Sequence, residues 1–221
     1  MKFSQVSEHI YSLSIWMIVP IHVWLVRQED GMTLVDAGVP PMARGIQREV
    51  QRIGNGPITR ILLTHGHVDH VGAIRSIVKS EDVPVMAHGS EIPYMEGDLP
   101  YPRRKNAQRT VTPGIVKALQ EDEAGRLSPV GDLVPIHTPG HSPGHVVWYH
   151  AGDRVLLAGD LFTSRNGKLR PPFAMFTADM AQAMESARIL ETLRPERLEV
   201  CHGGPVLNPA EQLAEYLDRY S

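Results

Sequence analysis

The run Thr64-His65-Gly66-His67-Val68-Asp69-His70 packs four side chains able to bind a metal into six residues. It follows a strand-like segment, Ile58 to Leu63, and enters a helix-like one, Val71 to Val78. At such a turn the backbone changes direction, so His65, His67, Asp69 and His70 can converge on one point beyond a sheet edge, which a regular helix would not allow. The bland alternative is a polar loop that happens to be rich in histidine. Three more candidates follow strand-like runs: His141 in Thr138-Pro139-Gly140-His141-Ser142-Pro143-Gly144-His145, Asp160 in Leu157-Ala158-Gly159-Asp160, and His202 in Val200-Cys201-His202-Gly203-Gly204. Each is costly to bury unpaired. Taken singly, a histidine after a strand is more often a satisfied core or surface residue. Seven in this pattern point to a metal centre.

In these motifs and their order the chain resembles the metallo-β-lactamase superfamily over almost its whole length. The resemblance implies a first metal on His65, His67 and His141, a second on Asp69, His70 and His202, and Asp160 as the carboxylate bridging both. It also implies an α/β fold of the four-layer αβ/βα sandwich type, with the site where the two sheets meet. Asp36, in Leu34-Val35-Asp36-Ala37-Gly38, would then support the metal loop from beneath, although an ordinary turn aspartate fits the sequence equally well.

Five imidazoles and two carboxylates suit zinc, while iron, manganese and cobalt are compatible with the same donors. Two divalent ions about 3.5–4 Å apart would lower the pKa of a shared water to roughly 7, and the hydroxide so formed would attack a carbonyl while metal charge stabilises the leaving group. From the resemblance, Asp69 is the catalytic carboxylate that orients this nucleophile and carries a proton. The expected reaction is hydrolysis of a small ester, lactone or thioester. The alternatives are β-lactam or phosphodiester hydrolysis, or an idle module that keeps its metals for structure.

Departures from subfamily patterns narrow the choice. True β-lactamases with a cysteine ligand are disfavoured, because Asp160 holds the bridging position and Cys201, if its segment is a strand, points away from His202 as an inert buried thiol. Acyl-homoserine lactonases share the ligand set and the Thr138–His145 run, yet Thr163 stands where they carry a tyrosine. Glyoxalase II adds a C-terminal helical extension, and here 19 residues follow His202. Flavodiiron oxidoreductases place a glutamate where His67 stands, and the nuclease branches add domains or basic arms not found here.

Trp16-Met17-Ile18-Val19-Pro20 and Pro171-Pro172-Phe173-Ala174-Met175-Phe176 are expected to shape an apolar pocket, or else to serve as core or a homodimer contact. Arg103, Arg104, Lys105 and Arg109 would attract an anionic tail or simply be solvated. His145 is a candidate donor behind the metals and His22 a candidate pocket residue; His9, His88, His137 and His150 have no motif support.

The elements that must position these groups begin with strands at Ile10–Leu13, His22–Val26 and Met32–Val35, an antiparallel opening. A helix is predicted over 41–53, a strand over 58–63, a helix over 71–78, a strand over 83–86 and helices over 89–96 and 113–121. Between the last two, residues 97–109 are too rich in proline and charge for a core element and read as a surface excursion, with 97–112 a candidate lid over the site. Strands are expected at 133–137, 145–149, 155–157 and 198–200, and helices at 180–193 and 209–220.

The chain has 221 residues, 42% hydrophobic and 21% charged, which is ordinary globular composition, and no internal break divides it, so one domain over 1–221 is expected. A net charge of -3 gives no pull toward nucleic acid or anionic membrane, leaving a small-molecule substrate as the expected partner. One cysteine excludes a disulfide framework and fits the cytoplasm, and no run resembles a membrane span or a secretory signal.

Overall fold

The computed structural model describes residues 1–78 and 83–220. Alternating, β-branched sequence at the N-terminus forms β1 (Lys2–Gln5), β2 (Ile10–Trp16), β3 (Pro20–Gln28) and β4 (Gly31–Val35), an antiparallel series as expected. The sheet then continues in parallel through β5 (Ile58–Leu62), β6 (Val85–Ala87) and β7 (Val116–Ala118), giving seven strands in sequence order. Helix α1 (Ala43–Ile53) crosses between β4 and β5, burying Ile46 and Val50.

A second sheet runs β14–β13–β10–β9–β8, built from β8 (Leu133–His137), β9 (Val146–His150), β10 (Val155–Leu157), β13 (Arg197–Glu199) and β14 (Val206–Leu207). Strand alternation decides its two faces. Val146 and Trp148 face the first sheet in a core shared with Leu34, Ile61 and Ile77, whereas Val147 and Leu156 face Ala183, Leu190 and Tyr216. Those last residues lie on α5 (Met180–Ser186), α6 (Ile189–Leu193) and α7 (Leu213–Tyr220). The order of layers is therefore helix, sheet, sheet, helix, the αβ/βα sandwich.

The helix predicted over 71–78 is two short pieces, α2 (Val68–Val71) and α3 (Ile74–Val78). The break falls at Gly72, whose N–H donates to Gly38 O at 2.7 Å, and a Cβ there would stand 2.7 Å from Pro40 Cδ, so the chain is pressed against the β4–α1 connection. The helix predicted over 113–121 is absent: Val116–Ala118 pairs with β6 instead, since the Thr112-Pro113-Gly114 turn leaves only a short run, and an available sheet edge satisfies its backbone. The sequence reading also passed over β1, β14 and the hairpin β11 (Thr163–Arg165) and β12 (Lys168–Arg170). Residues 97–109 hold no helix or strand, while α4 (Ile92–Met95) precedes them.

The ends of the sandwich differ. Residues 64–70, 141, 160 and 202 follow the C-terminal ends of β5, β8, β10 and β13. At the far end, the Asp153 carboxylate in the β9–β10 turn accepts from the Ser7 hydroxyl and from His9 N at 3.0 Å, and lies 2.7 Å from His9 Nδ1. This bond set staples the β1–β2 connection to the second sheet.

Candidate metal centre

The sandwich brings all seven predicted ligands together at one end. His65 Nε2 lies 2.9 Å from His67 Nδ1, and His141 Nε2 lies 3.1 Å from the same atom, so three ring nitrogens from two sheets meet at one point. Beside them His202 Nε2 stands 3.2 Å from Asp69 Oδ2, and His70 Nε2 stands 3.9 Å from it. Asp160 reaches both groups: its carboxylate lies 3.4 Å from His141, 3.3 Å from His202 and 3.5 Å from His70.

The outward nitrogens are fixed by donation, which sets the tautomers. His65 Nδ1 lies 3.1 Å from the Thr64 hydroxyl, His70 Nδ1 2.7 Å from Asp36, and His202 Nδ1 2.9 Å from Pro20 O. His141 Nδ1 lies 3.2 Å from the Thr177 hydroxyl, which itself donates to Phe173 O at 3.0 Å. With Nδ1 so engaged, Nε2 is the ring nitrogen that His65, His70, His141 and His202 turn inward.

Burial keeps the first triad neutral. It holds His65 well below the ordinary imidazole value, brings His67 to about 3 with His141 adding to the effect, and brings His141 to about 4 against the attraction of Asp160. Burial opposes charge on His70 and His202 too, but there facing groups win: Cys201, Asp36, Asp160 and Asp69 raise His70, and Asp160 and Cys201 raise His202. Burial opposes ionisation of Asp69, yet His70 and His202 bring it to about 2.

These residues fit a divalent metal. Among the described residues His70 Nε2 and Asp160 Oδ1 are buried without a hydrogen-bond partner, a costly condition that a cation between them relieves. The donor atoms of His65, His67 and His141 lie within 4.8 Å of one another, as do those of Asp69, His70, Cys201 and His202, and those of His65, His70 and Asp160. The centre is thus a His/Asp site for divalent metal.

Two expectations are corrected. Cys201 does not point away from the site: β13 ends at Glu199, so strand alternation no longer governs residue 201, and the thiol joins the group around His202. His145 is not a donor to the ligands; its Nδ1 pairs with the Thr138 hydroxyl at 2.9 Å, and its Nε2 accepts the Asp160 backbone N–H at 3.2 Å. Asp36 takes the supporting place expected of it, accepting from Thr64 N at 2.8 Å as well as from His70. His22 is mostly buried, and that burial and nearby His202 lower it to about 4. His88 and His137 stack on each other at 3.9 Å.

Sequence reasoning gave no role to Thr64, although it heads the ligand motif, nor to Glu91, Tyr101 and Thr177, which lie in no motif. The Tyr101 ring, on the 97–109 excursion, stands 4.8 Å from that of His67. Arg103 Nη1 donates to Ala174 O at 3.0 Å and Thr177 O at 2.9 Å, and Arg104 lies over the Phe176 ring, so these cations are engaged in holding the excursion to the segment after Asp160.

A profile described as the Metallo-beta-lactamase superfamily matches residues 17–202. A probable metallo-hydrolase of Bacillus subtilis (strain 168), YybB, is 36% identical over 224 residues, covering 100% of this chain and 99% of its own. A hydroxyacylglutathione hydrolase of Rhodospirillum rubrum is 32% identical over 163 residues, 73% of this chain and 54% of that protein. The crystal structure of TTHA1623 in a di-iron-bound form superposes with a TM-score of 0.71 at 27% identity, over 93% of this chain and 97% of that one. Family match, full-length relative and ligand geometry agree: the chain belongs to the metallo-β-lactamase superfamily and is a metallo-hydrolase.

Proposed function

We propose that the chain is a dinuclear zinc hydrolase that cleaves a small ester, lactone or thioester carrying an apolar acyl group. The observation that carries this reading is Asp160, whose carboxylate lies within 3.5 Å of His141 on one side and of His70 and His202 on the other. In this assignment His65, His67 and His141 hold one ion, Asp69, His70 and His202 hold the second, and Asp160 is shared. Two such ions supply Lewis acidity and a nucleophilic water at neutral pH. Imidazole and carboxylate donors favour zinc, and iron is the competitor to be tested.

The chain's own residues supply the rest. Asp69 is an anion at neutral pH and its side chain is 26% exposed, so it is the ligand placed to orient a reactant and accept its proton. Trp16, the last residue of β2, and Ile18, on the connection to β3, are 73% and 93% exposed, and β3 opens with Pro20, whose carbonyl lies 2.9 Å from His202 Nδ1. Phe173 stands 5.5 Å from the His202 ring and Met175 follows, 74% exposed. Apolar side chains on two flanks of a metal centre offer contact to an acyl chain and nothing specific to a charged one. The hydroxyacylglutathione hydrolase relative supports a thioester, within the 54% of its length that is shared. We place the enzyme in the cytoplasm, acting on a small molecule rather than nucleic acid or membrane; among the described residues no helix is long and apolar enough to cross a bilayer.

The test is a hydrolysis screen on zinc-loaded and iron-loaded protein with lactones, aryl esters of increasing acyl length, thioesters, a cephalosporin and a phosphodiester, with metal analysis of the same samples. Two ions per chain and turnover of the longer esters or thioesters support the proposal. One ion per chain, or turnover confined to the cephalosporin or phosphodiester, defeats it.

A further inference from the structure

We propose that Glu91 is a positioning residue that sets the geometry of the first ligand triad by tying three separate segments to one buried carboxylate. This builds on the dinuclear reading. The triad joins two sheets: His65 and His67 stand on the loop after β5 in the first and His141 on the loop after β8 in the second. Val146 N donates to Thr64 O at 2.9 Å where these loops meet the strands, which leaves the ligand-bearing peptides beyond that point to be aligned by a further tie.

Glu91 lies between them, in the turn Gly89–Glu91 that follows β6, and it is fully buried. Its Oε1 accepts from Gly66 N at 2.9 Å and from the Tyr101 hydroxyl at 2.8 Å; its Oε2 accepts from the Ser142 hydroxyl at 2.9 Å and from Gly144 N at 2.7 Å. Gly66 is the residue between His65 and His67, and Ser142 directly follows His141. Each oxygen thus holds one glycine N–H and one hydroxyl, one oxygen for each ligand loop. The approach needs glycine: a Cβ at Gly144 would stand 2.5 Å from the Glu91 backbone N. The Gly66 peptide is held on its other side too, since the Thr110 hydroxyl donates to Gly66 O at 2.9 Å.

A buried carboxylate is expensive. Burial pushes the Glu91 carboxyl above the usual range and the four donors pull it back. A neutral apolar residue would pack a sheet crossing more cheaply, so the fourfold contact argues for alignment rather than stability. A second buried carboxylate, Asp36, holds Thr64 and His70 in the same loop from beneath.

Glu91→Gln tests this while keeping shape. One oxygen becomes an NH2 that faces a glycine N–H, a donor that cannot turn round. Metal-free wild-type protein, Glu91→Gln and the double variant Tyr101→Phe/Ser142→Ala are titrated with cobalt(II), following the visible spectrum, metal content and thermal unfolding with and without metal. We expect one of the two ions to bind about tenfold more weakly or worse in Glu91→Gln, the spectrum of the other to be preserved, and the double variant to weaken the same ion. The loss of melting temperature should be greater with metal than without. Unchanged affinities, equal weakening of both ions, or equal loss of stability with and without metal would overturn the proposal. If Glu91→Gln does not fold, the double variant decides by the same readings. Uptake of one ion by the wild-type protein would defeat the dinuclear reading instead, and weakening of that ion in Glu91→Gln would still support the role of Glu91.

Discussion

Asp36 and His70 meet at 2.7 Å beneath the metal loop, carboxylate oxygen to Nδ1, with both side chains fully buried. The bond holds the His70 ring with its Nε2 turned inward and makes that nitrogen a better ligand. Asp36 has a φ of 58°, a conformation asparagine also tolerates, so Asp36→Asn removes the charge without backbone strain. One ion should bind about 10–100-fold more weakly in this variant, measured by competition with a chromophoric chelator. Wild-type affinity for both ions would show that Asp36 only supports the loop.

Asp160 is the shared ligand in the proposed assignment. Asp160→Ala should keep the fold, lose metal, and lower kcat/KM on the order of a hundredfold or more. Circular dichroism, metal analysis and kinetics on one preparation check this. Unchanged turnover and metal content would remove Asp160 from its bridging place.

Chelation should destabilise the protein, because among the described residues His70 Nε2 and Asp160 Oδ1 are then buried without hydrogen-bond partners. With free metal at about 100 times its dissociation constant, the difference between loaded and metal-free protein should approach ~2.7 kcal/mol for one site. Urea unfolding of both forms measures it, and coincident curves would contradict it.

Ile18 and Met175 are exposed beside the centre. If they hold an acyl chain, Ile18→Ser and Met175→Ser should each raise KM for a long-chain ester by about fivefold, corresponding to partial burial of one apolar side chain, and leave an acetyl ester unaffected. An effect independent of chain length would point to some other role for these residues.

Away from the metals, Asp153 gives a pH signature. Burial opposes its ionisation, but the bonds from Ser7 and His9, with His150 nearby, hold its pKa below the ordinary 3.8. A depressed carboxylate adds stability above its unfolded-state pKa, and this is lost as pH falls through the folded value. Asp153→Asn should therefore cost about 1–2 kcal/mol near pH 7 for the weakened hydrogen bonds, with the gap from wild type closing as pH falls through the depressed folded-state value. A gap constant with pH would rule out the charge as its source.

Much of the ligand set was legible because metal binding leaves a local trace. His65, His67, Asp69 and His70 share one turn, and His141, Asp160 and His202 each follow a strand closely. What was illegible acts across the fold. Glu91 touches residues 66, 101, 142 and 144, and no spacing in the sequence announces that. Cys201 was misplaced because period-two reasoning was carried past the end of β13. The short β7 was mistaken for a helix because its pairing with β6, not its composition, decides its conformation. The helices expected over 180–193 and 209–220 exist but are interrupted: α5 ends at Ser186, whose hydroxyl donates to Pro139 O at 2.6 Å, and a 3-10 turn, Pro209–Gln212, precedes α7.

The staple at His9 and Asp153 lies at the end of the strands away from every predicted ligand. Durability and reactivity are thereby zoned apart within one body. A search for hardier variants can work around the β9–β10 turn with Asp153 kept, where gains in heat tolerance need not be traded against turnover, while searches for altered selectivity belong at the other pole.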